Sequence, residues 1–314
     1  MSTDAVVPGA NVGPINLRNI KPAGQVAASP RDETAEIARD LVRSGSLEMG
    51  ADRPGDARAI ADLLPAGTSV FVNHLPKHSL TDTLGGLVAA HDAGLEPVPH
   101  LAAQRVKSRA EVAAYLKQAT QRAAVEKLLL IGGDNAAASG PFDDALSLLA
   151  SGVVAEAGVL EIAIAGYPEG HPRIDAERLM TALAAKIAEA RKQGLGVRVI
   201  TQFSFAPARI VEYCAALQRR FPDIPVYVGV PGPTSPTSLL RFASICGVGA
   251  SLRAMSGQGM GAVKLLTHTD PGEQLAMIAG HLRSNPRTNI VGLHLFSFGG
   301  VAKTAAWMNG VIRR

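Results

Sequence analysis

Cysteine, aromatic residues and charge are all scarce in this chain. It has two cysteines in 314 residues, Cys214 and Cys246, and neither has a Cys-x-x-Cys neighbour or a metal-ligand spacing. That excludes a disulfide framework and a thiolate metal centre, and it predicts buried, reduced thiols within helices. Such usage favours a reducing compartment, so a cytoplasmic location is expected. No apolar run is long enough to cross a bilayer without charges, and no basic segment leads into an apolar one at the N-terminus; neither a membrane span nor secretion is expected. Charged residues make up 18%, with 31 basic and 27 acidic side chains interspersed and a formal net charge of +4. No basic block marks a nucleic-acid surface, although a mild attraction for small polyanions fits. Also absent are the His-Glu-x-x-His pattern of zinc enzymes and the Gly-x-Ser-x-Gly turn of serine hydrolases.

What is present is a regular alternation. Near-continuous apolar runs occur at residues 24–29, 69–74, 96–101, 126–133, 159–166, 197–204, 224–230 and 289–297. Stretches with helical spacing lie between them, several opened by capping residues such as the Ser-x-x-Glu at Ser108 and closed by glycine. Eight apolar strands alternating with helices predict a parallel sheet covered on its outer face. The length and the lack of a dinucleotide fingerprint in the first strand–helix turn favour a closed (β/α)8 TIM barrel, an α/β fold, over a doubly wound sheet. Residues 1–22, rich in Pro, Gly and Asn without periodicity, read as an extended N-terminal arm; residues 23–314 read as the barrel domain.

In such a barrel the chemistry sits at the C-terminal strand ends. The predicted tips carry His74, His100, Asp134, Tyr167 with Glu169 and His171, Gln202, and His294. At Leu128 to Asn135, LLLIGGDN, a buried strand gives way to two glycines and a carboxylate, which lets a ligand approach the rim backbone and meet Asp134. The alternative is that Asp134 merely caps the helix after Pro141. Tyr167, Phe203, Phe205, Phe296 and Phe298 also fall at tips, either as ordinary core or as walls of a flat-ring pocket.

Four of these motifs together resemble the methylenetetrahydrofolate reductase family. PHLA (99–102) is similar to its third-strand Pro-His-Leu, and LLLIGGD to its strand ending in Gly-Gly-Asp. GYPEGHP (166–172) is similar to its Tyr-Pro-Glu-x-His-Pro, and VITQFSF (199–205) to its Ile-Thr-Gln-Phe-x-Phe. The resemblance implies an oxidoreductase that interconverts 5,10-methylenetetrahydrofolate and 5-methyltetrahydrofolate, with FAD as cofactor and NADH or NADPH as co-substrate. It implies catalytic roles for Asp134 and Gln202. Flavin contacts would come from His100, Gly133, Asp134, Tyr167 and His171, and folate contacts from Gln202, Phe203 and His74.

The chain also departs from that pattern. The family's first strand reads roughly Phe-Glu-Phe-x-Pro-Pro, and its glutamate protonates the folate bridge nitrogen. Here the corresponding stretch is QVAASPRD, so that position falls on Ala27, and Asp32, Glu33, His74 and Glu169 are the candidate substitutes. Gly132 stands where many members have arginine, and VNHLPKHS (72–79) replaces Thr-Tyr-Gly, offering Lys77 and His78 to an anion or to solvent. Two rival readings follow: a folate reductase without flavin, and a folate- or flavin-binding protein without turnover. Homo-oligomerisation is compatible with the arm.

Overall fold

A computed structural model of the chain describes residues 29–76, 78–133, 137–204, 206–245, 248 and 270–314. It opens with a helix, α1 (Pro30–Arg43). Then follow β1 (Ser46–Gly50), α2 (Gly55–Ala61), β2 (Ser69–Asn73), α3 (Leu80–Asp92), β3 (Glu96–Ala102), a 3-10 turn at Ala103–Arg105, and α4 (Arg109–Ala123). Next come β4 (Lys127–Ile131), α5 (Ala145–Ala150), α6 (Val153–Glu156), β5 (Glu161–Gly166), α7 (Ala176–Lys192), β6 (Gly196–Thr201) and α8 (Pro207–Arg220). The chain closes with β7 (Val226–Pro231), α9 (Pro236–Ile245), α10 (Gly272–Ser284), β8 (Ile290–Phe296) and α11 (Val301–Ile312). The eight strands run parallel in sequential order and β8 pairs with β1, so the expected closed barrel is observed.

Local chemistry accounts for the helix starts. Ser29 and Ser79 form capping boxes with Asp32 and Asp82, and Pro30 and Pro207 occupy the first turn, where a missing N–H costs nothing. Asp144 caps α5, the helix after Pro141.

Seven strands lie where the apolar runs predict them. The first does not. Residues 24–28 lie outside the described residues, Ser29 caps α1, and the first barrel strand is the SLEMG of Ser46–Gly50. Its outward Leu47 and Met49 are buried under helices, while Ser46 and Glu48 face the barrel axis. The expectation that the first strand lacks a glutamate is therefore overturned.

Inside the barrel Phe71, Val98, Leu129, Ala163 and Ile200 form one apolar layer. Below it, at the N-terminal strand ends, Lys127 meets Glu96 at 2.5 Å and Arg198 grips Glu161 with two nitrogens while lying 4.9 Å over the Tyr227 ring. These pairs occupy the floor, and in this fold sites lie at the opposite mouth. Cys214 is buried and unpaired on α8; Cys246 lies outside the described residues. Among the described residues no helix is long and apolar enough to cross a membrane.

Candidate active site

The mouth is organised around Glu48. Its Oε1 stands 3.6 Å from His294 Nε2 and 3.9 Å from His100 Nε2, and Asn73 Nδ2 donates to its Oε2 at 3.4 Å. Side-chain exposure is 14% for Glu48, 10% for His100 and nil for His294. Three strands besides its own thus converge on one carboxylate. Behind it, Ser46 Oγ lies 2.9 Å from His294 Nδ1, and Phe71 presents its ring edge-on to both imidazoles, 5.8 Å from His100 and 4.7 Å from His294.

Burial pushes the Glu48 carboxyl up, but the His294 contact, the His100 charge and the Asn73 amide outweigh it and hold the group below its ordinary value. Burial is also the main reason His100 is pushed down to about 4, with the nearby Glu48 opposing. Glu48 is therefore held as a carboxylate beside a neutral imidazole at His100.

The other predicted site residues fall into three groups. On the β2–β3 rim, His74 is buried, its carbonyl accepts from Arg105, and burial followed by the Arg105 charge pushes it down to about 4. His78, also buried, stands 3.7 Å from Asp52; Lys77 lies outside the described residues.

At the β4 tip, Gln104 N donates to Gly132 O at 2.8 Å, strapping the 3-10 turn to the strand end. Gly133 adopts φ 110°, where only glycine rests without strain, and a Cβ there would meet Gln104 at 3.1 Å. Asp134 lies outside the described residues.

Around the β5 and β6 tips, Gln202 N bonds Gly166 O at 2.8 Å, and Phe203 is fully buried against Phe296 and Phe298. Phe298 sits at φ 47°, a costly backbone for an aromatic residue, and stacks on Phe242 at 4.5 Å. Tyr167 packs edge-on against His171 at 5.7 Å. Of the proposed substitute acids, Asp32 is held in the α1 cap, Glu33 lies exposed in the same helical turn, and Glu169 accepts from Ser204 Oγ.

The sequence reading placed His294 at a tip without assigning it a role, and it missed Ser46 and Glu48 altogether. A signal was available: Ser46-Leu47-Glu48-Met49 alternates with period two, polar side in, and Arg53-Pro54 follows.

A closed parallel barrel with a buried acid and two histidines at its C-terminal mouth is a (β/α)8 barrel with its polar cluster at the end where this fold carries its sites. More narrowly, the family model described as methylenetetrahydrofolate reductase matches residues 77–254, more than half of the chain, and the protein belongs to that family. The match begins after β2, so Glu48 lies before it.

Solved structures to which the chain is similar include triosephosphate isomerase from Bartonella henselae, 10% identical over 87% of this chain and 100% of that one, with a TM-score of 0.44. Dihydropteroate synthase from Thermus thermophilus is 15% identical over 83% and 91%, with a TM-score of 0.42. The Yersinia pestis DHPS bound to a pterine-sulfa conjugate is 11% identical over 87% and 96%, with a TM-score of 0.44. These likenesses say nothing of the present chain's substrate.

The resemblance implies FAD, whose diphosphate needs cationic or N–H donors. The cavity beside Tyr167, about 470 Å³, is walled by Leu179, Met180 and Leu183 of α7 and by the carboxylates Glu169 and Glu212. Its one cation among the described lining residues, Arg209, stands 4.0 Å from Glu169. A cavity lined by two carboxylates and one guanidinium does not fit a dianionic diphosphate.

Proposed function

We propose that the protein reduces 5,10-methylenetetrahydrofolate to 5-methyltetrahydrofolate, with Glu48 as the acid that protonates the bridge nitrogen. The observation that carries this reading is the placement of one buried carboxylate at the mouth, between His100, His294 and Asn73. Reduction of the methylene bridge needs the five-membered ring opened first, and protonation of its nitrogen turns a poor leaving group into a good one. A general acid at that atom supplies roughly 10²- to 10⁴-fold in rate.

Glu48 is an unusual acid, because its free-state neighbours favour the carboxylate. Seating a flat pterin over the mouth excludes water and weakens that preference, so folate binding and proton uptake are linked. Gln202 and the Asp134 region then orient the pterin. The electron pair comes from reduced nicotinamide, and the carboxylate left by the transfer is stabilised by the Asn73 amide until it is recharged. A cytoplasmic setting accords with the free thiol of Cys214.

Two routes for the hydride remain in contest, through FAD as the resemblance implies or directly from the nicotinamide. The acidic, leucine-lined cavity beside Tyr167 favours the direct route. An absorbance spectrum of purified protein, then titration with FAD, separates them: direct transfer predicts colourless protein whose folate-dependent NADH oxidation does not rise with FAD. A yellow protein bleached by NADH without oxygen reverses the preference.

The function itself is tested by anaerobic incubation with reduced nicotinamide and 5,10-methylenetetrahydrofolate, followed by chromatography of the folate. Formation of 5-methyltetrahydrofolate that falls at least ~100-fold in Glu48→Gln is expected. No product with either nicotinamide, with or without FAD, sinks the enzymatic reading; full activity in Glu48→Gln sinks the role of the acid.

A further inference from the structure

The turn from β8 into α11 carries donors that the chemistry described so far does not use. Gly299 and Gly300 lead into α11, no side chain caps the helix, and its first turn holds no acid. The N–H groups of Val301, Ala302 and Lys303 therefore open toward the turn without a partner inside the helix. Lys303 adds an exposed cation there, the sign that the helix dipole disfavours at this end unless an anion is near. A bare helix start would mark nothing by itself. Ser297, however, sits at the foot of the same turn, where its carbonyl accepts from Gly300 N at 2.7 Å. Alternation along β8 turns His294 inward and Leu295 outward, which sends the Ser297 side chain to the helix side, beneath the start of α11. Ser297 is 3% exposed, and its hydroxyl has no hydrogen-bond partner among the described residues. A buried hydroxyl without a partner is costly, so it points to a group that arrives from outside.

A further donor comes from the facing loop. Arg53, which follows β1, reaches across the seam and donates through Nη2 to Gly299 O at 3.0 Å, while its Nε faces Asp56 at 3.6 Å. Its Nη1 has no partner among the described residues. Against the one carboxylate of Asp56 stand Arg53, Lys303 and the positive end of the helix.

We infer that this turn is the site for the diphosphate of the nicotinamide co-substrate, bound by the N–H groups of Val301 to Lys303, the Ser297 hydroxyl and the Arg53 guanidinium. The inference deepens the proposed function and rests on it for the identity of the co-substrate. In parallel barrels phosphate groups are often held by the loops after the seventh and eighth strands together with a helix N-terminus, and N–H groups, a hydroxyl and a guanidinium are the donors a diphosphate needs. The cavity beside Tyr167, with its two carboxylates, offers the opposite. Position agrees as well. Ser297 lies three residues beyond His294, so a diphosphate there stands roughly 10 Å along the strand from the groups around Glu48, an interval that a nicotinamide nucleoside fills.

The test separates the anion from the rest of the ligand. The native chain is titrated calorimetrically with ADP, with adenosine and with NADH. ADP and NADH should bind, and adenosine should bind at least about tenfold more weakly than ADP because it lacks the diphosphate. Two variants then part binding from folding. Gly300→Asp places a carboxylate at the N-cap, where it completes the helix start and repels a diphosphate. The backbone at Gly300, φ −106°, is open to any residue, although a Cβ there would lie 3.3 Å from Ser297 O. Ser297→Ala avoids that close fit and removes the unpartnered hydroxyl, which in the free protein relieves a penalty. Ser297→Ala should keep or raise the thermal midpoint, and both variants should weaken ADP and NADH at least about tenfold with adenosine unaffected.

Native affinity for ADP in both variants would overturn the site, as would equal affinity for ADP and adenosine in the native chain. A lower thermal midpoint in Ser297→Ala would give that hydroxyl back to the fold and count against the site. FAD displacing ADP as readily as NADH does would assign the diphosphate to a flavin and overturn the nicotinamide assignment. If ADP and NADH bind through this turn and no 5-methyltetrahydrofolate forms, the anion site stands and the folate reading falls.

Discussion

Ionisation at single residues gives the site a signature in stability as well as in rate. His74 and His100 both titrate at about 4 in the fold, chiefly through burial, against about 6.5 for an unfolded chain. The unfolded chain therefore binds protons more readily. Their contribution to stability is complete above pH 6.5 and is lost as pH falls toward 4, each by an order of 2 kcal/mol between pH 6.5 and 5. Glu48, a lowered carboxylate, acts in the same sense: its share is present above its unfolded value and lost on acidification through the folded one. The urea midpoint should drop clearly from about pH 7 to about pH 5, and His74→Gln should narrow that drop by removing one of the titrations; equal midpoints at the two pH values would contradict the burial argument. Glu48 also shows what was legible at this scale. Gly-Gly-Asp and Tyr-Pro-Glu stood out because they interrupt apolar runs, whereas the central acid lies inside a five-residue strand, where a charge lowers the apolar signal that identifies strands.

Strands β2 to β8 could be read because each buries both faces, one under helices and one in the barrel, and so runs nearly continuously apolar. β1 buries only Leu47 and Met49 as apolar side chains, and its inner face is given over to Ser46 and Glu48. Helices α2, α6 and α11 were also missed. The first two have 7 and 4 residues, too short for a periodic pattern, and α11 follows the last strand, where no further strand marks its end. The barrel floor yields a prediction at the level of neighbouring strands. Arg198 of β6 and Glu161 of β5 are largely buried, 12% and 24% exposed, and joined through two contacts. Arg198→Ala leaves Glu161 uncompensated and should cost about 3 kcal/mol, seen as a lower thermal midpoint by circular dichroism. Replacing both by methionine should recover most of the loss, since the penalty lies in the orphaned charge; a double variant as unstable as the single one would show that the pair itself holds the strands together.

For the molecule as a whole, closure of the barrel is the step that creates the site, because the seam between the first and last strands is also where Ser46, Glu48 and His294 meet. That seam is short, with two registered pairs, Ser46↔His294 and Leu47↔Leu295, against six between β5 and β6. It is braced from outside. α1 packs across β8, α10 and α11 with Val42 fully buried, Arg283 of α10 donates to Pro30 O at 2.9 Å, and at the mouth Arg53 donates to Gly299 O at 3.0 Å. At the turn from α1 into β1 a Cβ on Gly45 would meet Val42 O at 2.9 Å and Leu293 O at 3.0 Å, so helix and seam approach as closely as backbone allows. Val42→Ala removes two buried methyl groups beneath this brace and should cost about 2 kcal/mol. A loss placed there should not spread evenly. Amide exchange should quicken first in β1 and β8, with β3 to β5 protected until global unfolding, and folate reduction should fall as the seam loosens, because Ser46 and His294 move apart with it. Equal acceleration in all eight strands would mean that the barrel opens only as one unit, and the coupling between closure and catalysis would then have to be sought away from α1.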